Sequence, residues 1–466
     1  MGAFAGLLKQ AGHRVTGSDT AFYPPMGDAL QRWGIETLTG FSPANLTPAP
    51  DLVVVGNVCR PSNPEARAAI DGGLRYSSFP GALRSMFLEQ RRSFVVAGTH
   101  GKTTTSALLA FLLDACGCRP GFLFGGVSAN FPESFRSGQP GGPFVVEGDE
   151  YDSAFFEKSP KFWQYVPKVA VITALEHDHI DIYPDLTSYR AAFAQFVARI
   201  APDGLLVLNA ADPELRALAA EAPCAVRYYA LAGQDTGGVE PEWLAAPAPA
   251  EEGAQPFDLY YGGSSCGRVL SPLAGLHNVA NTLAAFALAA EGAGVAVRDL
   301  VRALPRFAGV RRRQELRGVA AGVRVYDDFA HHPTAVGETL RALRGRHAQG
   351  RLFAVFEPRS TTASRKLHES EYARAFDAAD AVLLAPVGRQ EIAEAERLDV
   401  GTVAAAIRAR GRSAETPAGV DAIVERLALD AVAGDTVVVM SNGAFGDIHA
   451  KLLARLALGV VEQRLR

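Results

Sequence analysis

Three observations predict an α/β fold in three domains. The chain has 466 residues, and at roughly 100–200 residues per domain that length holds about three units. Short apolar runs rich in Val and Ile alternate with helix-patterned stretches, as in parallel sheets. Several of these runs end on polar clusters, and open parallel sheets bind ligands at the carboxyl ends of their strands. The pattern divides into domains at 1–91, 92–316 and 317–466.

In the first domain Leu7–Gln10 is helical and Gly12 ends it. His13 to Thr16 forms a short strand that leads into the turn Gly17-Ser18-Asp19, and Asp51 to Asn57 is a buried strand. An α/β unit of this kind should open on a strand and a Gly-rich turn. This one opens on the helix, M-G-A-F-A-G-L-L. The expectation is therefore a domain whose first strand is missing, through a miscalled start or a truncation, with Val53–Val55 left holding unpaired edge groups. In the second domain, strands are expected at Phe94–Ala97, Phe144–Glu147, Lys168–Thr173 and Gly204–Asn209. Helices are expected at Thr103–Ala115, Ser188–Ile200 and Asn278–Ala290. The stretch Gly233–Pro256, rich in Gly, Ala, Pro and Glu, reads as a flexible loop. In the third domain, strands at Val323–Asp327, Leu352–Phe356, Ala381–Leu384 and Thr436–Met440 alternate with helices as a small doubly wound unit. No internal repeat is visible.

Composition narrows the function. A net charge of −4 provides no basic field for nucleic acid or an anionic membrane. The five cysteines are scattered, and the Cys116-x-Cys118 pair has no counterpart, which argues against structural zinc and for a reducing cytoplasm. No apolar run reaches membrane-spanning length. The N-terminus lacks the basic region of a signal peptide, and Gly6 stands where a myristoylation motif wants Ser or Thr.

The stretch V-V-A-G-T-H-G-K-T-T-T-S (Val95–Ser106) carries the most chemistry. The common phosphate-binding loop is G-x-x-x-x-G-K-[ST]. Counting back from Gly101-Lys102-Thr103, its first glycine should be residue 96, which is Val96; the glycine here is Gly98. The context still fits, because a strand enters and a helix leaves. Backbone N–H groups from Gly98, Thr99, His100 and Gly101 and the helix N-terminus can hold phosphate oxygens. Lys102 neutralises β/γ charge, and Thr103 or Thr104 ligates Mg²⁺. In V-V-E-G-D-E-Y-D-S (Val145–Ser153), four carboxylates follow a strand; Glu147, at the strand end, is the preferred Mg²⁺ ligand. In A-L-E-H-D-H-I-D (Ala174–Asp181), the cluster Glu176, His177, Asp178, His179 and Asp181 fits no common zinc spacing. A second Mg²⁺ ligand or a substrate contact suits it better. Asn278 and Asn281 share a helix face and either read an adenine edge or merely cap the helix.

Together these motifs resemble the Mur ligase family, ATP-dependent amide-forming enzymes of peptidoglycan metabolism. That family uses a G-T-x-G-K-T-[ST] loop without the distant first glycine, so Gly98 stands in a family variant of the loop. The resemblance runs through Gly98–Thr104, Glu147, Glu176–Asp181, His277–Asn281, Arg311–Arg313 and Asp327–Pro333. It implies a UDP-sugar-binding Rossmann-like domain, a central P-loop ATPase domain and a Rossmann-like C-terminal peptide-binding domain. The motif D-D-F-A-H-H-P (Asp327–Pro333) is similar to members that accept UDP-N-acetylmuramate. E-G-D-E-Y-D-S-A-F-F-E-K, F-E-P-R-S-T-T, Y-P-P-M and M-S-N-G-A-F-G-D-I-H are similar to the branch that adds the recycled murein tripeptide L-alanyl-γ-D-glutamyl-meso-diaminopimelate. The L-alanine-adding branch, with its Q-P-H-R-Y-like stretch, is the nearest alternative. A nucleotide-binding protein inactive as a ligase, its first domain incomplete, is the alternative from another class.

By resemblance, Lys102 holds the transferring phosphate of ATP, Thr103 and Glu147 serve a first Mg²⁺, and His179 serves a second. Asn278 and Asn281 face adenine. Arg313 and Asp328 reach the phosphates and ribose from the domain junction, and His331 and His332 line that joint. Arg359 and Asn442 meet the tripeptide carboxylates, while Asp19 and Asn57 lie on the uridine side. Phe193 occupies the place where some relatives carry a carbamylated lysine. The implied protein is cytoplasmic, a monomer or weak dimer.

Overall fold

The computed structural model describes residues 1–180, 182–251, 253–389 and 391–464, with side chains described through residue 459. Its centre is a ten-stranded sheet. From one edge to the other its strands are Ser264–Ser271, Gln255–Tyr261, Trp243–Pro247, Ala225–Leu231, Leu205–Asn209, Val169–Ile172, Arg92–Ala97, Pro143–Glu147, Gly121–Leu123 and Phe135–Arg136. The strands from Trp243–Pro247 across to Gly121–Leu123 run parallel. Their near-continuous apolar runs suit strands buried on both faces. One face packs on the helices Lys102–Ala115 and Leu276–Ala287, the other on Leu186–Val197. After Arg92–Ala97 the chain builds the sheet to one side and then crosses to Val169–Ile172 on the other. That reversal is a topological switch point, where open α/β sheets bind ligands, and it puts the Gly98–Thr103 loop there.

The stretch expected as a flexible loop between Gly233 and Pro256 is partly strand. Trp243–Pro247 pairs parallel with Ala225–Leu231 and antiparallel with Gln255–Tyr261. Trp243 is fully buried, and its Nε1 donates to Glu291 Oε1 at 2.7 Å. Composition misled here because a small-residue strand with one large anchor is stabilised by neighbours distant in sequence.

The N-terminal segment forms two parallel strand pairs, Thr16–Asp19 with Glu36–Thr39 and Val53–Val55 with Tyr76–Ser78, which are not joined to each other. Its first helix, Gly2–Gln10, packs on the central sheet; a Cβ on Gly6 would lie 2.3 Å from the Phe135 ring. Phe4, Leu7, Leu83 and Phe87 belong to the same apolar cluster as Val95 and Ile172.

The C-terminal sheet has six strands, ordered Glu315–Ala320, Val323–Asp328, Thr436–Met440, Leu352–Phe356, Ala381–Leu384 and Ser413–Glu415. All are parallel except the first, an antiparallel edge. Apolar clusters cover both faces. No helix among the described residues is long and apolar enough to cross a membrane.

Candidate active site

A cleft of about 1990 Å³ runs from the Gly98–Thr103 loop to the carboxyl ends of the C-terminal strands. Two glycines of the loop are required by its geometry. Gly98 has φ 122°, and a Cβ there would fall 2.4 Å from Thr173 Oγ1. Gly101 has φ 80°, and a Cβ there would fall 2.5 Å from Asn281 Oδ1. Both lie in the backbone region that favours glycine. Val96, where the common loop has its first glycine, is a buried strand residue. Thr99 ties the loop to the next strand end: its hydroxyl donates to Glu176 O and accepts from Glu176 N, both at 2.9 Å.

Lys102 Nζ donates to Gly98 O at 2.6 Å and lies 3.1 Å from Glu150 Oε2. Burial disfavours the cation, but Glu150, Asp149 and Glu147 outweigh it and raise the lysine pKa. Glu150 is fully buried. Its Oε1 lies 3.0 Å from His179 Nε2 and accepts from Tyr189 OH at 3.1 Å. Burial would raise its pKa, yet Lys102 and His179 pull it down to about 2, so it is a carboxylate. In turn His179, though buried, is raised by Glu150. Thr103 Oγ1 donates to Glu147 Oε1 at 2.9 Å, and Gly125 N donates to Glu147 Oε2 at 2.8 Å. Burial first, then Asp149, raises the Glu147 pKa. A hydroxyl and a carboxylate beside a phosphate loop, crowded by acid, form an oxygen donor set that fits a hard divalent cation. Glu150 is the residue sequence reasoning passed over: it lies in the same E-G-D-E run, three positions beyond Glu147. Phe193 is buried in the core against Phe162 and Tyr189.

The central and C-terminal parts meet across polar contacts. Thr334 Oγ1 donates to Glu176 Oε2 at 2.6 Å, and Thr362 Oγ1 donates to Asp178 Oδ1 at 2.6 Å. Burial works against the Glu176 and Asp178 carboxylates, but these donors and the nearby histidines hold both well below the usual range. His331 is neutral through burial and shares a hydrogen bond between Nδ1 and Phe329 O at 3.0 Å. His332, 6% exposed, is also neutral, with burial and His100 lowering its pKa to about 3. Asp328 accepts from Gln314 N and Ala330 N, which holds the Arg311–Gln314 link against the D-D-F-A-H-H-P turn. Arg313 lies over the Phe329 ring and lines the cleft. Its neighbour Arg312 donates to Ser441 O and Gly443 O.

Lys102, Thr103, Thr104, Glu147, His179, Asn278, Asn281, Arg313, Asp328, His331, His332 and Asn442 thus line one cleft. Asn281 Nδ2 donates to Asn278 Oδ1, and Asn278 Nδ2 to Ala274 O, which sets both amides under the loop. Arg359 is half-exposed beside Glu357 and Gly443, outside the cleft lining. Asp19 and Asn57 are exposed on the N-terminal segment, also outside it. Asp181 lies outside the described residues.

Comparison with known proteins accords with this geometry. The Mur ligase catalytic domain model matches residues 1–91, the Mur ligase middle domain residues 96–289, and the Mur ligase glutamate ligase domain residues 312–443. The chain is 39% identical over 460 residues to the UDP-N-acetylmuramate–L-alanyl-γ-D-glutamyl-meso-2,6-diaminoheptandioate ligase of Escherichia coli K12, covering 98% of this chain and 96% of that protein. It is 40% identical over 395 residues to the UDP-N-acetylmuramate–L-alanine ligase of Kineococcus radiotolerans, covering 83% and 79%. A murein peptide ligase crystal structure from Psychrobacter arcticus 273-4 matches with a TM-score of 0.70 at 36% identity, covering 98% of this chain and 96% of that one.

Proposed function

The chain belongs to the Mur ligase family, and on that premise we propose that it joins the tripeptide L-alanyl-γ-D-glutamyl-meso-diaminopimelate to UDP-N-acetylmuramate, using ATP. The reaction class is carried by one observation: a nucleotide loop with a buried Lys102–Glu150–His179 constellation opens into a cleft shared with the C-terminal sheet. The choice of amine is supported by likeness to the E. coli tripeptide ligase over nearly the whole of both chains. The domain limits 1–91, 92–316 and 317–466 belong to the same proposal, as does a cytoplasmic, monomeric or weakly dimeric state.

A carboxylate is a poor electrophile because its leaving group would be oxide. Attack of the lactyl carboxylate on the γ-phosphorus of ATP expels ADP and leaves an acyl phosphate. The neutral α-amine of the tripeptide then attacks the acyl carbon, phosphate departs, the amide forms and the nitrogen loses its proton. Positioning and charge neutralisation carry most of the catalysis. Lys102 holds the transferring phosphoryl group. Glu150 lies against that lysine and favours its charged form. Thr103 and Glu147 would hold one Mg²⁺ and His179 a second; such ions, when bound, neutralise phosphate charge. Asn278 and Asn281 serve adenine, and Arg313 and Asp328 serve phosphate and ribose. His331 and His332 close the joint, Arg359 and Asn442 receive the peptide carboxylates, and Asp19 and Asn57 serve the uridine side.

The test is phosphate release from ATP and Mg²⁺ with UDP-N-acetylmuramate, comparing the tripeptide, L-alanine and no amine. Tripeptide-dependent release is expected. Release with alanine alone would assign the protein to the biosynthetic branch, and no release with either amine would sink the ligase reading.

A further inference from the structure

We propose that His100, Glu176 and His332 form a site for a borderline transition-metal ion, of the Zn²⁺ type, that ties the nucleotide loop to the C-terminal part of the chain. One ligand atom from each residue lies within 4.8 Å of the other two. His100 Nε2 is 3.3 Å and His332 Nδ1 3.4 Å from the same oxygen, Glu176 Oε2. Tetrahedral zinc with bonds of about 2.0–2.1 Å sets its ligand atoms about 3.3 Å apart. The two imidazole rings converge, with centroids 4.6 Å apart.

His332 supplies an independent observation. It is 6% exposed, and neither of its ring nitrogens has a hydrogen-bond partner. Buried polar atoms are nearly always satisfied, and an ion bound between His332 and its two neighbours would satisfy one of them. The donor set also separates this site from the Thr103–Glu147 pair. Two imidazoles and one carboxylate suit zinc, nickel or iron, whereas a hydroxyl and a carboxylate are the oxygen ligands that magnesium favours. Thr334 Oγ1 donates to the same oxygen, Glu176 Oε2, at 2.6 Å and fixes the orientation of that carboxylate, as ligating carboxylates are themselves hydrogen-bonded.

No spacing in the sequence announces this site, because its residues come from three separate elements. His100 lies in the loop before the helix Lys102–Ala115, Glu176 follows the strand Val169–Ile172, and His332 caps the helix Pro333–Arg346. An ion held by all three would tie the nucleotide loop to the helix Pro333–Arg346 across the joint.

The probe is Co²⁺ added to the full chain with Mg²⁺ in large excess, followed by visible absorption and by competition with Zn²⁺. The expected result is one Co²⁺ per chain with the intense absorption of four-coordinate cobalt, displaced by Zn²⁺ and not by Mg²⁺. His332→Ala and His100→Ala should each weaken Co²⁺ binding at least about tenfold, the lower end of the cost even of outer-shell changes, while His179→Ala leaves it in place. Absence of the cobalt spectrum in the unmodified chain, displacement by Mg²⁺, or undiminished binding in both variants would overturn the proposal. If circular dichroism shows that His332→Ala does not fold, His100→Ala, on a partly exposed loop, decides alone.

Discussion

Replacing Glu150 with glutamine tests the electrostatic centre of the cleft. The substitution keeps the shape and removes one charge from a fully buried position. That charge lies 3.1 Å from Lys102 Nζ and 3.0 Å from His179 Nε2. Despite the opposing effect of burial, these partners take the carboxyl from an ordinary 4.5 to about 2, equivalent to about 3 kcal/mol favouring its ionised form. The folded pKa is depressed, so this stability is fully present above pH 4.5 and is lost as pH falls toward 2. A neutral amide lacks it throughout and leaves Lys102 facing an uncharged partner. At pH 7, Glu150→Gln should therefore be about 3 kcal/mol less stable, lowering the melting temperature of a domain this size by about 6–12 °C. The gap should narrow as the pH drops below 4.5. The His179 pKa, raised in the native protein chiefly by Glu150, should fall, which an NMR titration of its ring would register. A variant as stable as the parent at pH 7, with His179 titrating unchanged, would refute the assignment of Glu150 as the counter-charge.

Three further outcomes are expected. Gly98→Ala must hold φ 122° with a Cβ 2.4 Å from Thr173 Oγ1; at about 1–3 kcal/mol of backbone strain, ATP binding measured by calorimetry should weaken roughly tenfold or more, and equal affinity would contradict the loop geometry. Thr362→Val removes a donor from buried Asp178, at about 1.5–3 kcal/mol for a hydrogen bond to a charged group, so thermal unfolding should begin earlier and small-angle scattering should show a more open molecule. Amides of Ala245 and Ala246 in the strand Trp243–Pro247 should exchange with deuterium far more slowly than those of Gln234–Val239, and Trp243→Phe, which loses the bond to Glu291, should speed their exchange; rapid exchange in the native chain would restore the flexible-loop reading.

Much of the architecture was legible from the sequence because its signals are local. The apolar run Phe94–Ala97, the glycines at 98 and 101 and the helix pattern after Lys102 specify strand, turn and helix within a few residues of one another. The C-terminal strands were legible for the same reason. The two errors of emphasis have a common cause. The strand Trp243–Pro247 looked like a loop because its stability lies in partners on either side of it, not in its own composition. Glu150 looked like one of four acids in a polar run, and its role appears only when the fold brings Lys102, His179 and Tyr189 to it.

The sequence by itself determined the α/β class, the nucleotide loop with its displaced glycine, and the family of motifs that names the chemistry. Backbone conformation and hydrophobic period are properties of neighbouring residues, and those can be read in order. The tertiary structure alone decided which carboxylate neutralises Lys102, which amides underlie the loop, and how His100, Glu176 and His332 converge. Each depends on side chains from different strands meeting at one sheet edge, and Coulomb and metal-ligand interactions act through space at a few ångströms, without regard to separation along the chain.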